Sequence, residues 1–246
     1  MYYFRSMEWT DQGIVLSSRA HGEAAAVVTL LAREHGRHAG LVMGGRSSRQ
    51  RGNTEPGSVV AVRWRGRLAE HLGNYALEPV RGYAAGLLDD PPRLAALTAA
   101  CALVEAAVPE REPHPSLYDG LAALLDVLDS TPVWAEAYVR WEVGLLAELG
   151  FGLDLERCAV RGDLGGTNEY LAFVSPRTGR AVSVSAGEPY RDRLLPLPGF
   201  LIGRGMGGVE EVASGLRLTG HFLERHVLNA PLPPARERLA ERLLRT

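Results

Sequence analysis

Lysine is missing from this chain: all 27 basic residues are arginine. Without lysine there can be no G-x-x-x-x-G-K-[ST] phosphate loop, whose lysine reaches the terminal phosphates of a nucleotide. Cysteine is scarce. Cys101 and Cys158 are too few for a disulfide framework and fall in different kinds of segment, which suits a reducing, cytoplasmic compartment. No stretch approaches the roughly 20 apolar residues needed to span a bilayer, and the opening MYYFRSM has no long apolar run, so the expectation is a soluble chain without a membrane role. Met7-Glu8-Trp9 makes as good a beginning as Met1, so Met1–Ser6 reads as an upstream start or as residues added artificially. An excess of positive charge is lacking too. The net charge of −2 excludes a protein coated in cations, so any nucleic-acid surface must come from charge segregation. Serine, histidine and acidic residues occur, but no G-x-S-x-G elbow or H-E-x-x-H pair places them for catalysis, and the reading is non-enzymatic.

What is present begins with glycine-punctuated β-type runs. Strands are expected at Gly13–Ser18, Ala25–Ala32, Arg37–Met43, Val59–Arg65 and Leu68–Leu77, separated by His21-Gly22, His35-Gly36, Gly44-Gly45 and Pro56-Gly57. Five short strands in succession predict an OB-type barrel. In the segment VVAVRWRGRL, alternation puts Arg63, Arg65 and Arg67 on one face and Val60, Val62 and Trp64 on the other. Trp64 is therefore expected in the core, with base stacking as the alternative. Arg37 on the third strand and Arg46, Arg49 and Arg51 in the following loop complete the candidate phosphate-binding set. The competing reading of these arginines is an ordinary solvated face.

After Arg81 the hydrophobic period becomes helical. Leu94, Leu97, Cys101 and Val104 share one face, as do Leu117, Leu121, Leu124, Leu125 and Leu128. The clearest helix is Val133–Leu149, with Thr131 as its cap, Pro132 at its first position, Gly150 as its stop and a stripe of Trp134, Tyr138, Trp141, Leu145 and Leu149. Residues 151–198 are irregular, with a hairpin expected across Ser175–Arg180. Helix returns at Val209–Ala213, Leu216–Leu228 and Pro234–Leu244. The fold class is thus α+β, with a barrel over residues 1–81 and a mainly helical domain over 82–246. Arg140 beside Trp141 suits an acidic, apolar-ended peptide, and Arg217 and Arg225 are possible additions to that partner site.

Three blocks, EWTDQGIVLSSRAHGEAAAVVTLLAREHGRHAGLVMGGR, YVRWEVGLLAELGFGLDLERC and YLAFVSPRTGRAVS, together resemble the RecO family of bacterial recombination mediators. The resemblance runs from about Glu8 to the last helix. It implies an N-terminal OB-fold, a helical domain and, in some members, a zinc-ribbon-like insertion. It also implies binding of single- and double-stranded DNA, strand annealing, a complex with RecR, and docking on the C-terminal tail of single-stranded-DNA-binding protein so that RecA can load. The location implied is cytoplasmic and nucleoid-associated.

Family members with zinc carry two Cys-x2-Cys pairs. Here Cys158 stands where the first pair would begin, Arg161 occupies its partner position, and no second pair follows, so the insertion at about 151–198 reads as degenerate, with no metal and no cofactor. Two other function classes stay open. One is a small-molecule enzyme using the G-x-G-x-x-G motif at Gly203–Gly208, which would need a βαβ unit around it. The other is a pure protein adaptor whose barrel faces another protein.

Overall fold

The computed structural model describes residues 7–160, 170–205 and 207–244. Five strands close a barrel in the order β1-β2-β3-β5-β4: β1 (Met7–His21), β2 (Ala25–Ala32), β3 (Gly36–Val42), β4 (Val59–Gly66) and β5 (Asn74–Arg81). All neighbours are antiparallel except β3 and β5. Closure depends on the long first strand. Its first half pairs with β4 and its second half with β2, and an irregularity between Val15 and Ser17 bends it from one partner to the other. Val15, Val28, Leu30, Val62, Trp64 and Tyr75 fill the interior. Gly40 makes room for Tyr75, whose ring would lie 2.6 Å from a Cβ at that position.

The structure corrects the expected elements in three places. The fifth strand is Asn74–Arg81 rather than Leu68–Leu77, because residues 68–73 form a turn in which Leu68 and Leu72 are exposed. Gly73 turns the chain at φ +60°, and the Trp64 indole N–H donates to the Leu72 carbonyl at 2.9 Å. The basic stretch after β3 is not all loop, since Ser48–Thr54 forms the short helix α1. The long strand β1 begins at Met7, six residues before the expected Gly13.

Two compact units divide the chain, residues 1–130 and 131–246. The break in secondary-structure type at Arg81 is therefore not the break in packing, because α2 (Pro91–Ala107) and α3 (Pro115–Ser130) belong to the first unit. Asp90 caps α2 by accepting from the Arg93 N–H, with Pro91 and Pro92 following. The helix lies against β1, where Ser17 Oγ donates to Glu105 at 2.5 Å and the buried Cys101 thiol faces the Val15 carbonyl at 3.6 Å.

The second unit holds α4 (Trp134–Glu148), strands β6 (Leu171–Val174), β7 (Ala181–Ser183) and β8 (Leu195–Pro196), and α5 (Val184–Gly187). It continues with α6 (Val209–Phe222), a π-helical turn at Leu223–Leu228, and α7 (Pro234–Leu244). The expected hairpin across Ser175–Arg180 joins β6 to β7, and β8 adds a third strand on the other side of β6. Two features of α4 differ from expectation. Val133 rather than Thr131 is its capping residue, and Pro132 lies before the first turn. Its core is pinned by charge: the buried Glu142 carboxylate takes two hydrogen bonds from the buried Arg236 of α7 and one from Thr219 of α6.

Candidate nucleic-acid interface

On β4, alternation works as the pleat requires: Arg63 and Arg65 are exposed while Val62 and Trp64 are buried. Trp64 thus belongs to the core. The register with β1 sets Glu8 opposite Arg65 and Thr10 opposite Arg63. Arg65 donates to Glu8 Oε2 at 2.7 and 3.1 Å, and Arg63 comes within 3.8 Å of Oε1. The Arg65 hydrogen bond holds the Glu8 carboxyl below its usual range. One carboxylate is therefore shared by two arginines. Arg67 lies beyond the end of β4, so the ordered ladder has two rungs rather than three.

A second basic group forms at the other end of β1. The Arg46 guanidinium donates to the Gly22 and Glu23 carbonyls, each at 3.1 Å, and its backbone N–H donates to the Ala24 carbonyl, so the β1–β2 turn fixes it. Helix α1 carries Arg51 exposed in its last turn. The Arg49 side chain lies outside the described part of the structure. Arg19, which the sequence reading passed over, is exposed near the end of β1 opposite Val27. Among the described residues, none of Arg19, Arg46 and Arg51 pairs with a carboxylate. A lone arginine at a strand end gives no periodic signal, and only the pairing of β1 with β2 brings it near the Arg46 turn. Thr10 and His21 stand eleven positions apart along β1, about 36 Å of strand contour at ~3.3 Å per residue. The two groups are distinct.

Arg37 joins neither. Its Nε donates to the Val108 carbonyl at 2.6 Å and its terminal nitrogen to Glu110 at 3.3 Å, which ties β3 to the segment after α2.

In the second unit the expected partner residues are not gathered into one site. Arg140 is exposed, donates to the Phe200 carbonyl and lies 5.5 Å from the Phe200 ring centre. It lines a cavity of about 340 Å³ with Val133, Glu136, Ala137, Phe200 and Gly205. Glu136, one turn before Arg140 on α4, accepts from the Gly208 N–H. Trp141 is buried and part of the α4 stripe, so it offers no open aromatic face. Arg217 bonds Ser214 and lines a separate cavity of about 510 Å³ beside α7, and Arg225 lines a third with His221 and Pro231.

The remaining chemistry is negative in particular ways. Cys158 is buried, and its sulfur accepts from the Ser183 N–H at 3.4 Å. Cys101 belongs to the other unit, and among the described residues no three His, Cys, Asp or Glu side chains group to hold a metal. Arg161 lies outside the described residues, and the sequence of 161–169 adds neither Cys nor His. A ribbon zinc does not fit these residues. The Gly203–Gly208 motif follows a 3-10 turn at Gly199–Ile202 rather than a strand, and the helix it leads into opens with Glu210 and Glu211. Two carboxylates at a helix N-terminus disfavour a pyrophosphate there. Among the described residues no helix is long and apolar enough to cross a membrane.

Comparison with known proteins agrees with this architecture. The profiles described as Recombination protein O N terminal and Recombination protein O C terminal match residues 7–83 and 88–234. The chain is 64% identical over 239 residues to the DNA repair protein RecO of Rhodospirillum centenum, covering 96% of this chain and 94% of that one. Against the DNA repair protein RecO of Rhodospirillum rubrum, identity is 53% over 250 residues, covering 97% of each. For that of Cereibacter sphaeroides it is 51% over 243 residues, covering 97% of this chain and 99% of the relative.

Proposed function

Because the chain belongs to the RecO family of DNA repair proteins, we propose that it is a non-enzymatic recombination mediator whose barrel binds single- and double-stranded DNA through phosphate contacts. The observation that carries this reading is the trio Arg19, Arg46 and Arg51, exposed arginines towards one end of the barrel that pair with no carboxylate among the described residues. Arg49 lies next to them in sequence, and Arg63 and Arg65 form a weaker, partly neutralised contact. Such a surface reads charge and not sequence, so it serves annealing and loading alike. In the family's manner the protein anneals strands and, with RecR, helps RecA load onto DNA coated with single-stranded-DNA-binding protein. Arg140 takes the acidic C-terminal tail of that protein, and the cavity beside Phe200 takes the tail's apolar end.

Fluorescence anisotropy with labelled oligonucleotides tests the DNA reading. Affinity should be blind to sequence and fall steeply as salt rises, and a salt-independent or undetectable signal would refute it. For the tail, calorimetry with its peptide should show Arg140→Ala binding about 1.5–3 kcal/mol more weakly, as for a charge-assisted hydrogen bond, with DNA affinity kept. Equal peptide affinity in a folded variant would remove Arg140 from that site.

A further inference from the structure

One end of the barrel carries a column of three nearly parallel rings that the phosphate contacts do not use. The His35 imidazole lies over Trp9, with centroids 4.1 Å apart and planes 11° apart, and Trp9 lies over Trp64 at 5.8 Å and 18°. His38 and Tyr75 meet Trp9 edge-on, at 84° and 69°, and close the sides. The lower end of the column, Trp64, is sealed in the core. Among the described residues the upper end reaches the surface: the His35 side chain is 34% exposed, in the turn between β2 and β3.

That open ring is also fixed. Asp11, whose side chain is only 6% exposed, accepts from both His35 Nδ1 and the Glu34 N–H at 2.9 Å, so the imidazole cannot swing away from Trp9. A flat ring held in place loses little freedom when a second ring settles on it. The charges around it are largely paired: Glu8 is shared by Arg63 and Arg65, Arg33 pairs with Glu34 and Asp119, and Arg37 with Glu110, while Arg111, whose charge reaches His38, donates to the Glu70 carbonyl. The neighbourhood therefore carries only a modest positive excess. Its remaining offer is the π-face. Arg63 and Arg65 flank Trp64 in sequence but point outward, so a strand whose backbone meets those arginines passes close to the column.

We propose that the His35–Trp9–Trp64 column is a stacking platform for an unpaired base of single-stranded DNA. The proposal rests on the DNA reading above and deepens it. Stacking needs a base with a free face, which a duplex does not offer along its length, so the column favours single strands while the basic groups bind both forms.

The experiment compares full-length wild type, His35→Ala and His35→Phe by anisotropy, using labelled oligo(dT) and a blunt duplex, each over a salt series. His35→Ala should bind oligo(dT) about tenfold more weakly with an unchanged salt slope, because stacking releases no counterions, and should bind the duplex as wild type does. His35→Phe should restore the affinity for oligo(dT), since it returns a ring without the Asp11 bond. Tryptophan emission should also fall when wild type binds oligo(dT), and fall less in Trp9→Phe. Unchanged oligo(dT) affinity in folded His35→Ala would overturn the proposal, as would an equal loss on both DNAs. Wild type that binds duplex but not oligo(dT) would overturn the platform alone, whereas binding to neither would reject the DNA reading beneath it.

Discussion

Single residues decide how much positive charge the barrel offers. Arg63 and Arg65 look like a cationic ladder in the sequence, but the strand pairing brings Glu8 against both. That partner was not legible, because Glu8 is more than 50 residues away and only the β1–β4 register makes them neighbours. The ladder can be released. Glu8→Gln should raise affinity for DNA about two- to fivefold at low salt and steepen the salt dependence by up to about one phosphate contact, as anisotropy would show. No gain would mean that Arg63 and Arg65 do not meet DNA. His38 supplies a different kind of test. It is buried against the Tyr75 hydroxyl, 2.8 Å away, and burial, with the Arg111 charge, pushes its pKa down to about 4 from 6.5. A base with a depressed folded pKa contributes nothing to pH dependence above the unfolded value, where neither state is protonated. As pH falls from about 6.5 towards 4 the unfolded chain takes the proton first, so stability declines by up to about 1.4 kcal/mol per pH unit. Urea unfolding at pH 7.5 and 4.5 should show a smaller pH-dependent loss for His38→Gln than for wild type; an equal loss would contradict the assignment.

At the scale of elements, the sequence carried the barrel and most of the helices, because glycine turns and hydrophobic period are local signals. It misplaced β5 for a physical reason: Leu68 and Leu72 look like strand residues, yet Gly73 and the Trp64 indole hold them in an exposed turn. It also missed α1, a helix of 7 residues without an apolar stripe. The buried pair linking α7 to α4 left no local signal either, since Arg236 and Glu142 lie 94 residues apart in sequence. Removing one member leaves the other charge uncompensated. Arg236→Ala should therefore cost about 3–5 kcal/mol in denaturant unfolding, while Arg236→Leu with Glu142→Leu should cost clearly less. A double variant as unstable as the single one would show that packing around the pair, rather than the orphaned carboxylate, sets the cost.

For the whole molecule, a net charge of −2 and a DNA-repair family are reconciled by where the charges sit. Near one end of β1, Arg63 and Arg65 share the single Glu8 carboxylate beside an aromatic column; near the other, Arg19, Arg46 and Arg51 have no acidic partner among the described residues. The gathering of arginines in the barrel segment was legible from where they fall in the sequence, whereas the split into an unpaired and a compensated group required the fold. The most direct test is the slope of log K against log salt for single-stranded DNA, measured for wild type and for Arg19→Ala/Arg46→Ala/Arg51→Ala. The slope should be shallower by about two to three units in the folded triple variant, roughly one per lost phosphate contact, and should change much less for Arg63→Ala/Arg65→Ala. An unchanged slope in the first variant, with the loss confined to the second, would contradict that expectation.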